Sequence, residues 1–545
     1  MPERFSRKKS GAATSGGLRL TMKKIATLIL AAAMICGAST GAKAIDFKAH
    51  GEWIVSFDMG KHGNATGGAG QTGYGDGSDE FDATQRVRLQ LDAVASEALS
   101  GTVFFELGPQ AWGSDNRSTG GAGLGADGTN VIKVRRAYID WMVPQTDLKV
   151  RMGIQGFGLP SFTTKANAVF DDDVAGIVTS YQFNDNVALS AFWLRPINDN
   201  WAGDGANRWG NNNRNYMDNM DAFGLLLPLT FDGVKVTPWV MYAAIGPNTF
   251  NNFARGTNNG DWRNFWAGNT SASDGHVRHG MLPVGGSLHK DGTAAGKRLN
   301  RYGDAIWAGL TGEVTAFDPF RIAWDVNYGA VSYADSRMNR SGWLASLLFE
   351  YKLDWAIPGI YGWYSSGDDG NPANGSERMP YIAPTGNNEF SNFAFSGGKQ
   401  YWREATLSDN MIGTWGIGAR LKDMSFIEDL KHTFHINFMG GTNSTTMTRY
   451  LGNNADFGAW GSFNGNTGRD LGSEPIYMTT NDYAMEIGLH NAYKMYENFN
   501  VYLDANYIAM WADHSRKVWG RSAINGKDDT VCDPWNIKLS FVYSF

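Results

Sequence analysis

Arg86 and Arg88 stand two apart in TQRVRLQLDAVA, and Lys149 and Arg151 stand two apart in LKVRMGIQG. Arg136 lies in RRAYIDW, and Lys48 falls on the polar positions of DFKAHGEWIVSFDMG. A spacing of two is the period of a β-strand, so each pair shares one face. Fixed cations on one face do electrostatic work: they attract anions, orient dipolar solutes and bias ion flow. Asp171, Asp172 and Asp173 supply a compact block of opposite charge. No zincin, P-loop or paired-cysteine zinc pattern occurs, and the strands assemble no nucleophile, base and orienter. His432 and His435, three apart on a predicted strand, fall on opposite faces and are not expected to share a metal. Asn464, Asn466 and Asp470 lie in a Gly-rich stretch but lack the spacing of an EF-hand. The expectation is therefore no catalysis, no cofactor and no metal.

Strands must carry these charges, and the alternation shows what kind. Phe47, Ala49, Gly51, Trp53, Val55 and Phe57 oppose Lys48, His50, Glu52, Ser56 and Asp58. Val87, Leu89, Leu91 and Ala93 oppose Arg86, Arg88, Gln90 and Asp92. Trp343, Ala345, Leu347, Phe349 and Tyr351 oppose Ser346, Glu350 and Lys352. Such patterning predicts strands with one apolar and one polar face. Aromatics bound the apolar face at both strand ends, as with Phe47 and Phe57 or Tyr483 and Tyr493. That is the girdle of a membrane-spanning barrel, with one belt per lipid interface.

Residues 22–44, MKKIATLILAAAMICGASTGAKA, read as a secretory signal: basic start, apolar stretch, small residues before cleavage at Ala44. Met22 is the expected natural start. Ile35 before Cys36 argues against a lipoprotein cysteine, and Cys532 is then the one cysteine left, so no internal disulfide is expected. Residues 1–44 hold eight of the 48 Lys and Arg and one of the 54 acids, leaving 40 against 53, a net of −13 for residues 45–545. A nucleic-acid binder carries the opposite, basic footprint.

Connections come in two kinds. Asn184-Asp185-Asn186, Asp232-Gly233, Asp318-Pro319, Ile357-Pro358-Gly359 and the stretch around Tyr496–Asn498 read as tight turns. Residues 59–83, 108–129, 196–220, 245–303, 367–411, 441–481 and 513–534 are long and rich in Gly and Asn. The two kinds mostly alternate, which puts tight turns at one end of an up-and-down sheet and long loops at the other. The expected fold is all-β: one transmembrane antiparallel barrel over residues 45–545, with about 18 strands and 16 as runner-up, periplasmic turns and external loops. The final strand, WNIKLSFVYSF, then has to close on the first, because an open edge in lipid leaves backbone groups unpaired.

The terminal Phe541, Tyr543 and Phe545 resemble the carboxy-terminal signature read by the barrel-assembly machinery of Gram-negative bacteria. RRAYIDW followed by LKVRMGIQGFGLPSF resembles the middle of trimeric general-diffusion porins, and the chain as a whole is similar to the homotrimeric outer-membrane porins of sulfate-reducing bacteria. The loops are longer than in a minimal general porin. The resemblance implies a homotrimer in outer-membrane lipid and lipopolysaccharide. It also implies that the loop after the fifth strand, residues 158–174, folds inward and carries Asp171–Asp173 against a basic wall of Lys48, Arg86, Arg88, Arg136, Lys149 and Arg151. The expected function is passive diffusion of small hydrophilic solutes and ions through a water-filled lumen. A substrate-specific channel is the alternative within the class, and a closed adhesive, structural or enzymatic barrel the alternative outside it.

Overall fold

The computed structural model describes residues 45–61, 80–114, 122–124, 132–198, 219–246, 280–283, 302–334, 336–371, 373–383, 389–391, 393–395, 407, 410–447, 477–513 and 533–545. The expectations for the leader, Met22, Cys36, Ala44, Asn464, Asn466, Asp470 and Cys532 fall outside them. The strands are β1 (Asp46–Lys61), β2 (Glu80–Ser96), β3 (Leu99–Ala111), β4 (Ile132–Met142), β5 (Leu148–Gly158), β6 (Asp171–Asn184), β7 (Val187–Asn198), β8 (Asn219–Leu226), β9 (Leu229–Phe231), β10 (Val234–Ile245), β11 (Gly303–Val314), β12 (Phe320–Ser332), β13 (Arg340–Tyr351), β14 (Ile357–Ser365), β15 (Thr414–Ile427), β16 (Leu430–Gly441), β17 (Tyr483–Tyr496), β18 (Phe499–Trp511) and β19 (Trp535–Ser544).

Apart from β8 and β9, each strand pairs antiparallel with its neighbour in the chain, and β19 pairs with β1 from Glu52↔Ser544 to Lys61↔Trp535. β8 and β9 both pair with β7 and β10 and form one strand broken at Leu227-Pro228, so the 19 segments make an 18-strand closed barrel. Pro228 has no N–H for the ladder, which accounts for the break. The tight turns lie at 97–98, 143–147, 185–186, 232–233, 315–319, 352–356, 428–429 and 497–498, all at one end. Ile357-Pro358-Gly359 is a correction: the turn is 352–356, and those three residues begin β14.

The alternation holds, with lipid taking the place of water on the apolar face. Along β13, Trp343, Leu347, Phe349 and Tyr351 are exposed, while Leu344, Ser346, Leu348 and Glu350 are buried. Exposed rings cluster at both ends of the exterior: Trp141, Phe231, Phe320 and Tyr351 near the turns, and Tyr242, Tyr328, Trp343 and Tyr483 near the loops. This apolar band between two aromatic belts is the exterior of a transmembrane barrel.

Closure uses the very last residue. Phe545 and Gly51 exchange backbone hydrogen bonds of 2.9 and 3.1 Å. A side chain at Gly51 would start 2.2 Å from the Arg88 carbonyl and 3.0 Å from the Phe545 ring, so glycine is what lets that ring lie across β1. Phe541 meets Phe57 edge-on at 6.4 Å, and Tyr543 stacks on Phe545 at 5.7 Å. Deleting Phe545 is expected to lower the folded fraction, read as less of the fast-migrating form on unboiled gels.

Candidate functional site

Loop 159–170, between β5 and β6, turns into the lumen. Its neck is closed by Leu159 N–H donating to Phe170 O at 3.0 Å. Asn167 braces it by donating to Pro160 O at 2.8 Å and accepting from Val169 N–H at 2.9 Å. The tip then docks on Asp325 of β12. Ser161 Oγ donates at 2.8 Å, and the Phe162 and Thr163 N–H groups donate at 2.9 Å. The Thr163 hydroxyl also donates to Asp325 and lies 2.6 Å from Ser346 Oγ on β13. Arg321 of β12 donates to Phe162 O at 2.8 Å.

A second inward segment comes from the connection between β14 and β15. Phe390 stacks on Tyr361 with centroids 4.2 Å apart. Glu486 of β17, fully buried, accepts from Ser391 Oγ at 2.9 Å, Phe393 N–H at 3.1 Å and Asn437 Nδ2 at 2.8 Å. The two loops meet where Ile382 N–H donates to Val169 O at 2.8 Å and Asp171 N–H donates to Ala383 O at 2.7 Å. Residues 280–282 cap this assembly through Gly280 O, which accepts from Tyr381 N–H, and Leu282 O, which accepts from Arg340.

The loops therefore cover an apolar part of the inward faces of β7–β14, where Phe192, Leu194, Met220, Trp239, Met241, Trp307 and Leu348 are all buried. An entirely polar lumen, as the alternation suggested, is thus found on only part of the wall. The signal was present as runs such as AFWL and VMYAAI, apolar on both faces, which is how a strand covered on both sides reads.

The polar wall is a ladder of ion pairs rather than a row of lone cations. Arg86 donates to Glu52 at 2.8 Å and Arg88 to Glu106 at 2.8 Å. Arg151 grips Asp140 through two bonds of 2.7 Å and lies 4.2 Å over the Tyr138 ring, with Lys149 3.8 Å from the same carboxylate. Lys48 is exposed at the turn end, opposite Asp92 in register.

Asp171, Asp172 and Asp173 are a correction. They are the first residues of β6, paired with Gly158, Phe157 and Gly156, and so not part of the loop. Asp173 accepts from Arg136 at 2.6 Å and from Arg135 at 2.7 Å, which puts acid and base on the same side of the pore. Pairing of β4 with β5 stops at Ala137↔Ile154, while β5–β6 pairing runs on to Gly158↔Asp171. The upper β5–β6 hairpin thus leaves β4, and the Arg136 guanidinium lies against it at Gly156, where a Cβ would sit 2.6 Å from Arg136 Cζ. Arg135 was not anticipated, because strict alternation turns it away from Arg136. A bulge opposite Phe104 and Phe105 shifts the register and turns both arginines to one carboxylate. Gly156→Val is expected to eject Arg136 and to destabilise the barrel by about 1–3 kcal/mol, the usual cost of overpacking, measured by denaturant unfolding.

A second ladder runs under the loops: Lys235–Glu313–Arg321–Glu350–Arg420–Glu389, with Lys165 and Lys422 closing on Glu389. It holds five cations and three carboxylates. Its lysines and Arg321 are more exposed than its carboxylates: side-chain exposure is 54% for Lys235, 51% for Lys165, 31% for Arg321 and 30% for Lys422, against 13% for Glu313, 19% for Glu389 and 7% for Glu350, while Arg420 is buried at 3%. Burial pushes the Glu389 carboxyl up, but Lys422, Arg420 and Lys165 outweigh it and hold the group down, to about 2.

No protein family and no curated protein matches the chain. Among solved structures it is similar to OccAB3 of Acinetobacter baumannii, with 9% identity, a TM-score of 0.48 and coverage of 92% of this chain and 99% of that one. It is also similar to OccK9 (OpdG) of Pseudomonas aeruginosa, with 11% identity, a TM-score of 0.47 and coverage of 92% and 99%. OpdK of Pseudomonas aeruginosa, solved with vanillate, has 8% identity, a TM-score of 0.44 and coverage of 91% and 99%.

Proposed function

We propose that the chain is an outer-membrane channel that passes small hydrophilic solutes passively, is selective through its inward loops, and favours anions. The observation that carries this is the ladder beneath the loops, with its exposed ammonium groups and shielded carboxylates. The arginine wall adds little net charge. Arg86, Arg88, Arg135, Arg136, Lys149 and Arg151 are matched by Glu52, Glu106, Asp140, Asp171, Asp172 and Asp173. The sign is therefore set where Lys165, Lys235 and Lys422 face the water. Selectivity follows from narrowing: a solute passes between docked loops and a ladder of alternating charge, and has to shed part of its hydration to do so. Exchanging contacts along such a ladder needs no reaction and no cofactor. An unselective diffusion pore is the second reading, favoured by the polar wall of β1–β6.

The chain is further proposed to assemble as a homotrimer in lipid and lipopolysaccharide, delivered by the barrel-assembly machinery through its terminal aromatic strand. Reversal potential across a planar bilayer under a potassium chloride gradient tests the function. Conductance steps in threes with a potential of anion-selective sign are expected. A cation-selective sign removes the ladder as the selectivity element, and absence of conductance removes the channel reading.

A further inference from the structure

One stretch of the lipid-facing wall is concave. Phe349, Ile360, Ala419 and Ile436 lie in register on β13, β14, β15 and β16, and all four are exposed. Three of them are large and Ala419 is a single methyl group, so the row dips at β15. In the next row toward the turns, Pro358 pairs with Leu421 and Leu421 with Phe434. Pro358 and Leu421 are half-buried, while Phe434 stands out beside Ile436 as one bank. The Phe320–Tyr351 pair, edge-on at 4.8 Å, is the other bank. Between the banks lies a trough of about 610 Å³. Its floor is one backbone layer thick at Gly359, where a Cβ would point inward and meet Glu350 Cγ at 3.1 Å and Arg420 Cγ at 3.6 Å. Toward the turns, Trp355 and Phe426 pack ring on ring at 5.7 Å, both exposed, and such rings mark the head-group level of a membrane.

We propose that this trough seats one acyl chain of a phospholipid from the periplasmic leaflet. Three observations choose that occupant. The trough is cut into the apolar band, where only hydrocarbon or another apolar surface can lie against it. It is entered from the turn end, which faces the periplasm in such barrels, so lipopolysaccharide in the opposite leaflet does not reach it. Twelve residues line it, whereas a stable protein–protein interface takes about 20–30 a side. Its volume instead falls within the ~300–1,000 Å³ of small-ligand sites. Removal from water gives the seat no advantage, because lipid tails are as apolar as the wall. Contact does: a chain in the trough meets carbon on its floor and both banks, where a chain on a smooth wall meets it on one side, and each added pair of atoms at van der Waals distance contributes. Ala419 is the residue on which the seat depends, since any larger side chain there levels the row. The seat is independent of what the channel carries.

The test is native mass spectrometry of the purified protein in mild detergent, with palmitoyl-oleoyl phosphatidylethanolamine as the probe. The unmodified protein should keep one phospholipid per chain. Ala419→Trp, which fills the trough, should lower the retained fraction about fivefold. Ala308→Trp, at an exposed outward position of β11, should leave it unchanged. Ala419→Leu fills the trough in part and should fall between, and it serves if the tryptophan variant does not give the fast-migrating form on unboiled gels. Dihexanoyl phosphatidylethanolamine, with the same head and short chains, should be kept about fivefold less than the long-chain probe. Equal retention in Ala419→Trp and the unmodified protein overturns the proposal, and so does equal retention of the short-chain lipid. Lipopolysaccharide held in preference to the phospholipid assigns the trough to the other leaflet's lipid and overturns it too. Loss of oligomers in Ala419→Trp, with unmodified oligomers free of lipid, assigns the trough to a second copy of the chain and likewise overturns it.

Discussion

Asp325→Ala is expected to widen the channel. Four donors of loop 159–170 converge on that carboxylate: the Ser161 and Thr163 hydroxyls and the N–H groups of Phe162 and Thr163. Hydrogen bonds to an ionised acceptor are the strong ones. Removing the acceptor also strands the donors, at about 1–3 kcal/mol each where water cannot reach them. The loop gains more by leaving the wall than by staying. Single-channel conductance should rise and anion preference should fall, since Lys165 leaves the narrowing with the loop. The barrel itself should persist, because no strand pairing passes through Asp325's side chain, and unboiled gels check this. Asp325→Asn, which keeps one acceptor oxygen, should give a smaller change. Unchanged conductance in Asp325→Ala would mean that the loop is held by its apolar contacts, Val169 and Phe170 against the wall, rather than by the latch.

The latch explains why the barrel was legible in the sequence and its interior much less so. Alternation is a local signal: Trp343, Leu347, Phe349 and Tyr351 announce a lipid face within one strand, and the terminal aromatics announce closure. Loop docking is not local. Asp325 lies more than 150 residues from the tip it holds, and nothing in AWDVNYG distinguishes it from any inward acid of a wet lumen. The Asp171–Asp173 block illustrates the same limit. Its charge was evident, but whether it began a strand or ended a loop depended on how far β5 and β6 stay paired after β4 departs. Arg135 was hidden by a single inserted residue, since one bulge inverts the face of everything read by a period of two. The two-sided apolar runs of β7–β11 were readable in principle. They required accepting that part of the lumen is a packed interior.

Glu486→Ala should have the largest effect on the second loop. Glu486 is fully buried and holds Ser391, Phe393 N–H and Ala394 N–H on one side and Asn437 on the other, with His435 Nε2 3.3 Å from the same carboxylate. Truncation leaves these donors facing a cavity, and breaking a buried charged cluster from one side costs about 3–5 kcal/mol. That exceeds what one stacked pair, Phe390 on Tyr361, returns: about 0.5–1.5 kcal/mol beyond burial. Residues 389–391 and 393–395 should therefore leave the wall and present Phe390, Phe393 and Phe395 to solvent. Chymotrypsin should then cut the folded variant at these residues, identified by mass spectrometry of the fragments, while the unmodified protein resists. Glu486→Gln keeps an acceptor oxygen for the Phe393 and Ala394 N–H groups and should resist nearly as well. The two loops share the Lys165–Glu389 contact, so conductance should rise in Glu486→Ala as it does in Asp325→Ala. Combining both changes should add less than their sum, because each already breaks the bridge between the loops.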